Sequence, residues 1–317
     1  MCICYKDHND IFLSFNLMFL VSNLSNRNAN RSKRSLLQFT KMEKVDNSIV
    51  QFYEIPLVDE KNKNFEKTTI KVVMTFKGTI IDMKVYVRWT QHDKLLKFIL
   101  PTTIRSRECK FGIQFGHISR PTHKNTDRDM ARFEASGRWA DLSDATGGVS
   151  LMSDVKCGFD VHNQTMMMSL LKAPMQTDKW CDFGDRRFVI RLNFHSTSFN
   201  SNVQMLSDSL VIPPIFVDGE EDKEKIFGSF VEIDNENIVL ETLKPSEDGK
   251  GFIARLYEPV GGWVKGKIKF PMLKESYKAV HTDLKEEGDE EIEKCDFNTF
   301  SISLKPFQIF TMKLFIE

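Results

Sequence analysis

The sequence predicts an all-β fold built from antiparallel sheets. From about residue 46 onward apolar side chains alternate with polar ones, as in residues 70–76 and 81–88, and this alternation turns one face of each strand inward. Gly78 and Thr79 separate these two runs and predict a hairpin turn. No long stretch repeats apolar residues at the helical spacing of about 3.6 residues. The pattern therefore favours sheets over helices along most of the chain.

The same alternation returns further along the chain and divides it into domains. It recurs in residues 188–194, 238–240, 252–256, 300–304 and 310–316. A break falls near Pro213 and Pro214 and is followed by the acidic run 218–225 (DGEEDKEK), which is typical of a solvated loop. We therefore expect a larger β domain over residues 46–212, a smaller β-sandwich over 226–317, and an unassigned, disordered N-terminal segment over 1–45.

The N-terminal segment contains an apolar run, residues 11–21 (IFLSFNLMFLV). It is too short to cross a bilayer, which needs about 20 residues. The residues before it include Asp7 and Asp10, so the positive start of a secretory signal is missing. We expect no membrane association; a signal or anchor at this run is the alternative. The basic, Asn- and Ser-rich residues 22–35 are expected to be unstructured.

Composition narrows the classes of partner and compartment. The chain of 317 residues has 44 basic and 44 acidic side chains, and a nucleic-acid partner would require a basic excess. We therefore expect no nucleic-acid partner. The six cysteines are scattered and form no C-x-x-C pair, which indicates free thiols in a reducing compartment. These features favour a cytoplasmic protein, with a vacuole or lysosome as the alternative.

Two carboxylate pairs could in principle serve acid–base catalysis. A retaining glycosidase needs two carboxyl groups about 5 to 5.5 Å apart. Asp129 with Glu134, and Asp141 with Asp144, are the candidate pairs. Because such pairs arise readily among 44 acidic residues, we expect no catalytic residue in this chain.

Three histidines raise the alternative of a metal site. His117, His123 and His162 lack the close spacing that zinc ligands usually show, such as H-E-x-x-H. We therefore predict hydrogen-bonded loop and core histidines and no metal ligand among them.

Residues 114–141 (QFGHISRPTHKNTDRDMARFEASGRWAD) are the most specific stretch of the chain. They resemble a signature of the C-terminal half of family 38 glycoside hydrolases, the class II α-mannosidases, most of all the cytosolic and vacuolar branch. Further motifs follow in the family's order: 156–162 (KCGFDVH), 169–174 (SLLKAP) and 252–262 (FIARLYEPVGG). The resemblance covers residues of about 46–317. It implies a galactose-mutarotase-like β-supersandwich followed by a smaller C-terminal β-sandwich.

The resemblance also implies a function. In this family the zinc-bound active site lies in a large N-terminal domain, and nothing in the sequence resembles that domain. We therefore expect the non-catalytic C-terminal region of an α-mannosidase, inactive alone, with zinc or another divalent ion in the missing catalytic domain. The implied partners are a mannose-containing oligosaccharide and a catalytic domain on the same or a separate chain. The alternative is a free-standing carbohydrate-binding or partner-docking β-sandwich.

Two loops hold the candidate site residues. These residues would either support the active-site cleft of the catalytic domain or contact the sugar. The first loop holds Arg120, His123 and Asn125, and the second holds Lys172 and Trp180. The alternative for the loops is packing between domains, and for Trp180 a half-buried core position. Lys172 departs from the family pattern, which has Arg there, so a bidentate contact is in doubt.

Overall fold

The structure is a computed structural model of the chain. It describes residues 3–7, 10–14, 18–23, 35–36, 38–45, 48–54, 68–127, 129, 134–176, 178, 180–216 and 228–316. The chain divides into two compact units. The first unit comprises Met1–Gly112 and Ile118–Ser198, and the second comprises Ile113–His117 and Phe199–Glu317.

Seventeen strands precede residue 196 in the described ranges. They are β1 (Ile3–Asp7), β2 (Asp10–Ser14), β3 (Met18–Asn23), β4 (Ser35–Leu36), β5 (Gln38–Val45), β6 (Ser48–Glu54), β7 (Thr69–Lys77), β8 (Ile80–Trp89), β9 (Lys94–Pro101), β10 (Glu108–Ile113), β11 (Gly116–Pro121), β12 (Ala135–Ser136), β13 (Trp139–Ser143), β14 (Gly148–Ser153), β15 (Gly158–His162), β16 (Thr165–Lys172) and β17 (Gly184–His195).

These strands form two large sheets and one hairpin. The larger sheet has nine strands in the order β11-β10-β13-β14-β17-β8-β7-β6-β5, and the second has six in the order β12-β15-β16-β9-β3-β4. Strands β1 and β2 pair with each other. One apolar core joins the two large sheets, since Val85 and Phe188 from the larger one share it with Phe98 and Met168 from the other. The first unit is therefore a sandwich of two antiparallel sheets.

The predicted hairpin is confirmed. Lys77 pairs with Ile80, so Gly78 and Thr79 form a two-residue turn between β7 and β8. Gly78 has a φ of +60°, which glycine adopts without steric cost. Burial along β8 alternates as the sequence pattern requires, so its apolar side chains lie in the core.

The second unit contains nine further strands. They are β18 (Glu232–Ile233), β19 (Val239–Pro245), β20 (Gly251–Tyr257), β21 (Val264–Lys269), β22 (Tyr277–Thr282), β23 (Glu290–Glu291), β24 (Lys294–Asp296), β25 (Thr299–Leu304) and β26 (Ile309–Ile316). A four-stranded sheet, β18-β21-β25-β24, and a five-stranded sheet, β19-β20-β26-β22-β23, enclose a separate core. The predicted all-β class is thus confirmed, with a smaller sandwich after the larger one.

The ten-residue helix α1 (Asn202–Val211), in the second unit, was not predicted. Its buried side chains are Val203, Gln204 and Ser207, which lie on one helical face but include only one apolar residue. A search for an apolar helical stripe misses such a helix because the face that it buries is mostly polar.

The N-terminal segment differs from the expectation of a disordered tail. Strand β3 pairs with β9, and β5 pairs with β6, so both extend the sheets of the first unit. Phe19 is buried in the core and packs edge-on against Tyr53 and Phe98. The described residues of the run therefore lie in strands, 11–14 in β2 and 18–21 in β3, and Phe19 belongs to the core. No helix in the described residues is long and apolar enough to span a membrane. Most of the run predicted to be unstructured, residues 24–34, lies outside the described residues.

The division between the units also differs from the predicted boundary. It falls between Ser198 and Phe199, ahead of the expected break at Pro213 and Pro214, because α1 belongs to the second unit. The acidic run 218–225 lies outside the described residues.

Candidate functional site

The first candidate loop is anchored by a threonine that lies between the predicted site residues. Thr122 is buried, and its Oγ1 donates to the Ser106 carbonyl at 2.8 Å. Its amide donates to Arg107 O at 3.0 Å, and its carbonyl accepts from the amide of Asn163 at 2.7 Å. Arg120, on β11, places its guanidinium 5.9 Å from the centre of the Phe111 ring. These contacts fix the loop against the first unit.

The polar residues of this loop form a local turn. The Asp129 carboxylate accepts from Thr126 Oγ1 at 2.8 Å, and Thr126 Oγ1 accepts from the Asp129 amide at 3.1 Å. His123 Nδ1 lies 3.6 Å from the same carboxylate, beyond hydrogen-bond distance. Asn125 is exposed. Residues 128 and 130–133 of the signature lie outside the described residues.

The second candidate loop joins β16 to β17. The Lys172 amide donates to the Asp182 carboxylate at 2.8 Å, while the Lys172 side chain is exposed. The Asp93 amide donates to the Ala173 carbonyl at 2.6 Å, and the Asp93 carboxylate accepts from the Met175 amide at 3.1 Å. The loop is therefore held by backbone contacts, which leave the Lys172 ammonium in solvent.

Trp180 belongs to a small aromatic cluster in this second loop. His92 stacks on Phe183 with ring centres 4.7 Å apart, and Trp180 meets both rings edge-on at 6.0 and 5.4 Å. Trp180 nevertheless remains 58% exposed. It is thus an exposed ring on a supporting aromatic base, and not a core tryptophan.

The two loops do not form one site. The first loop contacts Asn163, which immediately precedes Gln164 and the start of β16, whereas Lys172 is the last residue of β16. Eight residues of extended strand separate them, roughly 25 Å at about 3.3 Å per residue. Arg120, His123 and Asn125 thus lie at one end of β16, and Lys172 and the Trp180 loop lie at the other.

The two candidate carboxylate pairs are used as structural acceptors. Glu134 forms an ion pair with Lys97 and accepts from Ser169 Oγ at 2.8 Å. Asp144 accepts from the Thr146 hydroxyl at 2.6 Å and from its amide at 2.8 Å, and these bonds lower the pKa of the Asp144 carboxyl. Asp129 and Thr126 form the turn described above.

A buried polar network surrounds Asp141, which is 1% exposed. Its carboxylate accepts from Ser143 Oγ at 2.8 Å, Ser150 Oγ at 2.6 Å and His195 Nε2 at 2.9 Å. His195 Nδ1 lies 2.7 Å from the Thr197 carbonyl. Because a carboxylate and a carbonyl only accept, this geometry suits the protonated imidazole, in which both ring nitrogens donate.

Two ionisable groups in this network are shifted. The hydrogen bond from Nε2 to the Asp141 carboxylate raises the pKa of His195. Burial raises the pKa of the Cys109 thiol, whose Sγ lies 3.1 Å from the Asp141 carbonyl. Sequence reasoning treated Asp141 as one of a carboxylate pair and missed His195, because the two are 54 positions apart and meet only through strand pairing.

The second unit has its own buried carboxylate, in the 252–262 motif. Glu258 is 1% exposed and accepts from the amides of Val260 and Gly261, each at 2.7 Å, and of Phe307 at 3.0 Å. His117 Nδ1 lies 3.0 Å from the Pro259 carbonyl in the same unit. The glutamate of this motif therefore holds a loop, and His117, on β11, has a backbone carbonyl as its hydrogen-bond partner.

Metal ligation was the remaining alternative. His162 is exposed at the end of β15. Within the described ranges, no three His, Cys, Asp or Glu side chains lie close enough together to hold a metal ion. Four cysteines in these ranges, Cys109, Cys157, Cys181 and Cys295, are free thiols.

Comparison with known families gives two matches. The model of the "Glycosyl hydrolases family 38 C-terminal domain" matches residues 3–179. That of the "Glycosyl hydrolases family 38 C-terminal beta sandwich domain" matches residues 237–312. The first match begins at residue 3, ahead of residues 46–317 over which the sequence resembles the family, and it includes β3 and β5.

Similar proteins include "Alpha-mannosidase G" of Dictyostelium discoideum, 31% identical over 249 residues, and "Alpha-mannosidase 2C1" of Homo sapiens, 32% identical over 238 residues. These alignments cover 76% and 73% of the chain, but in both cases 23% of the relative. The chain therefore spans about a quarter of the length of these relatives. An α-mannosidase structure from Enterococcus faecalis superimposes with a TM-score of 0.73 at 15% identity, over 96% of this chain and 39% of that one. This likeness supports the fold.

Proposed function

The chain belongs to glycosyl hydrolase family 38, as the C-terminal region of its α-mannosidases, and from this premise we propose that these residues are the non-catalytic β-rich part of such an enzyme. In this proposal the region supports the hydrolysis of α-mannosidic bonds in oligosaccharides. The bond-breaking groups belong to a catalytic domain outside these residues. The 317 residues alone do not hydrolyse mannosides.

The observation that carries this proposal is the use of the candidate carboxylates as structural acceptors. A glycosidase pair needs one carboxyl group free to give a proton and another free to attack or activate water. Asp141 instead accepts three side-chain hydrogen bonds in the core, and Glu134 is paired with Lys97. Asp144 holds a tight turn. Carboxylates with these hydrogen bonds and ion pairs contribute to folding, and Asp141 is also buried away from solvent.

Zinc or another divalent ion is expected in the catalytic domain, where it would bind and polarise the sugar substrate. No residue of this chain is assigned to it. The histidines offered as alternatives make loop contacts: His117 to a backbone carbonyl, and His123 beside Asp129. The catalytic domain is either part of the same polypeptide or a separate chain.

A hydrolysis assay tests the proposal. The 317-residue chain is incubated with an aryl α-mannoside, with and without added zinc, beside a full-length family 38 α-mannosidase as a positive control. No release of the aryl group is expected. Turnover that appears with metal and disappears with a chelator would refute the proposal.

The size of the native polypeptide decides where the catalytic domain resides. An immunoblot with antibodies against these residues is expected to show a band several-fold heavier than 36.8 kDa if the domain is on the same polypeptide. A band at 36.8 kDa would point to a separately encoded partner, which a pull-down would then identify.

For the first loop we propose a packing role. Arg120, His123 and Asn125 accompany Thr122, whose buried hydrogen bonds tie the loop to the scaffold. Exposed Asn125 makes a clean test, because Asn125→Ala leaves those bonds intact. The variant is expected to keep the melting temperature of the parent chain and, in the complete enzyme, its kcat/KM. A large loss of kcat/KM would assign Asn125 to the cleft.

A second candidate function is sugar binding at Trp180, favoured by its exposed ring beside the Lys172 loop. Aromatic faces pack against the apolar faces of sugar rings. Calorimetric titration with mannose oligosaccharides is expected to give binding heat in the parent chain and none in Trp180→Ala. Trp263→Ala is the control, because Trp263 is another exposed tryptophan, in the second unit, and this variant should keep the binding heat. Flat heats up to millimolar sugar would exclude useful binding.

We also propose a cytoplasmic location, with a vacuole or lysosome as the alternative, and neither a nucleic-acid nor a membrane partner. The free thiols of the described cysteines and the neutral overall charge support this assignment. Fractionation of cells that express a tagged chain tests it, and recovery in the membrane pellet after a salt wash would contradict it.

A further inference from the structure

A row of side chains across the larger sheet alternates cations with aromatic rings. Strand pairing places Lys41 opposite Phe52, Phe52 opposite Lys71, Lys71 opposite Tyr86, and Tyr86 opposite Arg187. Direct cross-strand partners point to the same face of a sheet. The row crosses the adjacent strands β5, β6, β7, β8 and β17, and is thus roughly 19 Å long at about 4.8 Å per strand.

Two cations of this row rest on the aromatic rings beside them. Lys71 Nζ lies 6.0 Å from the centre of the Phe52 ring, and Arg187 Cζ lies 5.8 Å from the centre of the Tyr86 ring. Such contacts orient a cation without neutralising its charge. Among the described residues, neither Lys71 nor Arg187 forms an ion pair with a carboxylate, whereas Lys41 pairs with Glu43. Lys71 and Arg187 are therefore positioned to receive an anion.

The row lies in an open groove of about 830 Å³ on this face. Four basic and two acidic side chains of this face line the groove, although the whole chain carries no net charge: Lys41, Lys71, Arg88 and Arg187 against Glu54 and Asp185. The face therefore has a local positive excess, which raises the local concentration of anions.

We propose that this groove binds an anionic oligosaccharide. Strands β6, β7, β8 and β17 are each paired on both sides, so their backbone groups cannot accept a peptide as an added strand. The row itself consists of cationic and aromatic side chains, which suit a ligand with its own hydroxyls, apolar ring faces and acidic groups. The choice of a carbohydrate among polyanions rests on the proposed function, whereas anion binding rests on the row alone.

Binding of a carboxylate-bearing tetrasaccharide tests the proposal. The 317-residue chain is titrated with tetragalacturonate and with a neutral tetrasaccharide, by calorimetry at low salt. The acidic sugar is expected to bind and the neutral one to bind far more weakly, and added salt should weaken the binding. Lys71→Gln and Arg187→Gln should each raise the dissociation constant about tenfold, because each removes a charge-assisted hydrogen bond.

A matched control removes the same charge elsewhere. Lys267 is exposed on β21 of the second unit, opposite Ser301, so Lys267→Gln should leave the dissociation constant unchanged. Absence of binding, or equal weakening by all three variants, would overturn the site. Equal affinity for an acidic peptide or a short single-stranded oligonucleotide of the same charge would overturn the choice of carbohydrate. These outcomes are independent of the hydrolysis assay, so failure of one proposal is distinguishable from failure of the other.

Discussion

Replacing Asp141 by asparagine should strongly destabilise the first unit. The carboxylate accepts hydrogen bonds from Ser143, Ser150 and protonated His195 while it is 1% exposed. In Asp141→Asn one oxygen becomes an amide donor, and the imidazolium loses its counter-charge. Breaking one partner of a buried ion pair costs about 3–5 kcal/mol.

The opening of this region can be followed at Cys109, which is buried beside Asp141. A thiol reagent and peptide mass spectrometry report its labelling rate in the native chain, while exposed Cys157 reports the intrinsic reaction. Cys109 is labelled only when this region opens locally. Each loss of about 1.4 kcal/mol raises the population of the open state tenfold, so Cys109 in the variant should be labelled about a hundredfold faster or more. Asp185→Asn is the control: Asp185 is exposed on β17, so its replacement is expected to change stability by about 1 kcal/mol or less.

The pH dependence of the same variant follows from the direction of the His195 shift. The pKa of His195 is raised in the folded chain above its ordinary value of 6.5. The stability that the protonated form contributes is therefore fully present below pH 6.5 and is lost as the pH rises through the folded pKa. The difference in unfolding free energy between the parent and Asp141→Asn should thus be largest in mild acid and shrink in alkaline buffer. Equal rates of Cys109 labelling in the parent and the variant would refute the reasoning. So would a difference in unfolding free energy that widens as the pH rises.

Three further substitutions test other contacts. Glu258→Ala would leave three backbone amides without their acceptor and should lower the unfolding free energy of the second unit by about 3 kcal/mol or more, seen in urea titration, with a smaller loss for Glu258→Gln. Gly112→Ala would place a Cβ 2.3 Å from Trp139 Nε1 and should cost about 1–3 kcal/mol; an unchanged melting temperature would show that the indole moves freely. Asp248→Asn removes a carboxyl whose pKa is lowered, chiefly by the hydrogen bond from Lys313. The variant should therefore be less stable than the parent near neutral pH, and this difference in unfolding free energy should fade in acid well below pH 3.8. A difference that stays constant with pH would count against the Asp248–Lys313 pair.

The strands were predictable because alternation of apolar and polar residues is a local property. The β7–β8 hairpin follows from two alternating runs and a glycine between them. Strand β3 and helix α1 were not predicted, for two different reasons. The apolar run that holds Phe19 was assigned to a disordered N-terminal segment because its partner β9 lies about 75 positions away, and α1 was missed because it buries mostly polar side chains.

Gly112 shows the same limit at a single position. The sequence shows only a glycine two residues ahead of the stretch that begins at Gln114. The structure supplies the reason, since any side chain there would collide with the Trp139 indole. Contacts of this kind depend on two strands meeting at one point, which a linear pattern does not contain.

By itself, the sequence determined the fold class and the family, because strand periodicity and ordered motifs are properties of neighbouring residues. It also supplied the two loops that hold Arg120, His123, Asn125, Lys172 and Trp180. Only the tertiary structure decided that those loops lie at opposite ends of β16, that Asp141 and Glu258 are buried acceptors, and that Lys71 and Arg187 share a row. The physical reason is strand register: pairing brings together residues that are tens to a hundred positions apart, and a shift of one residue would turn each of them to the other face.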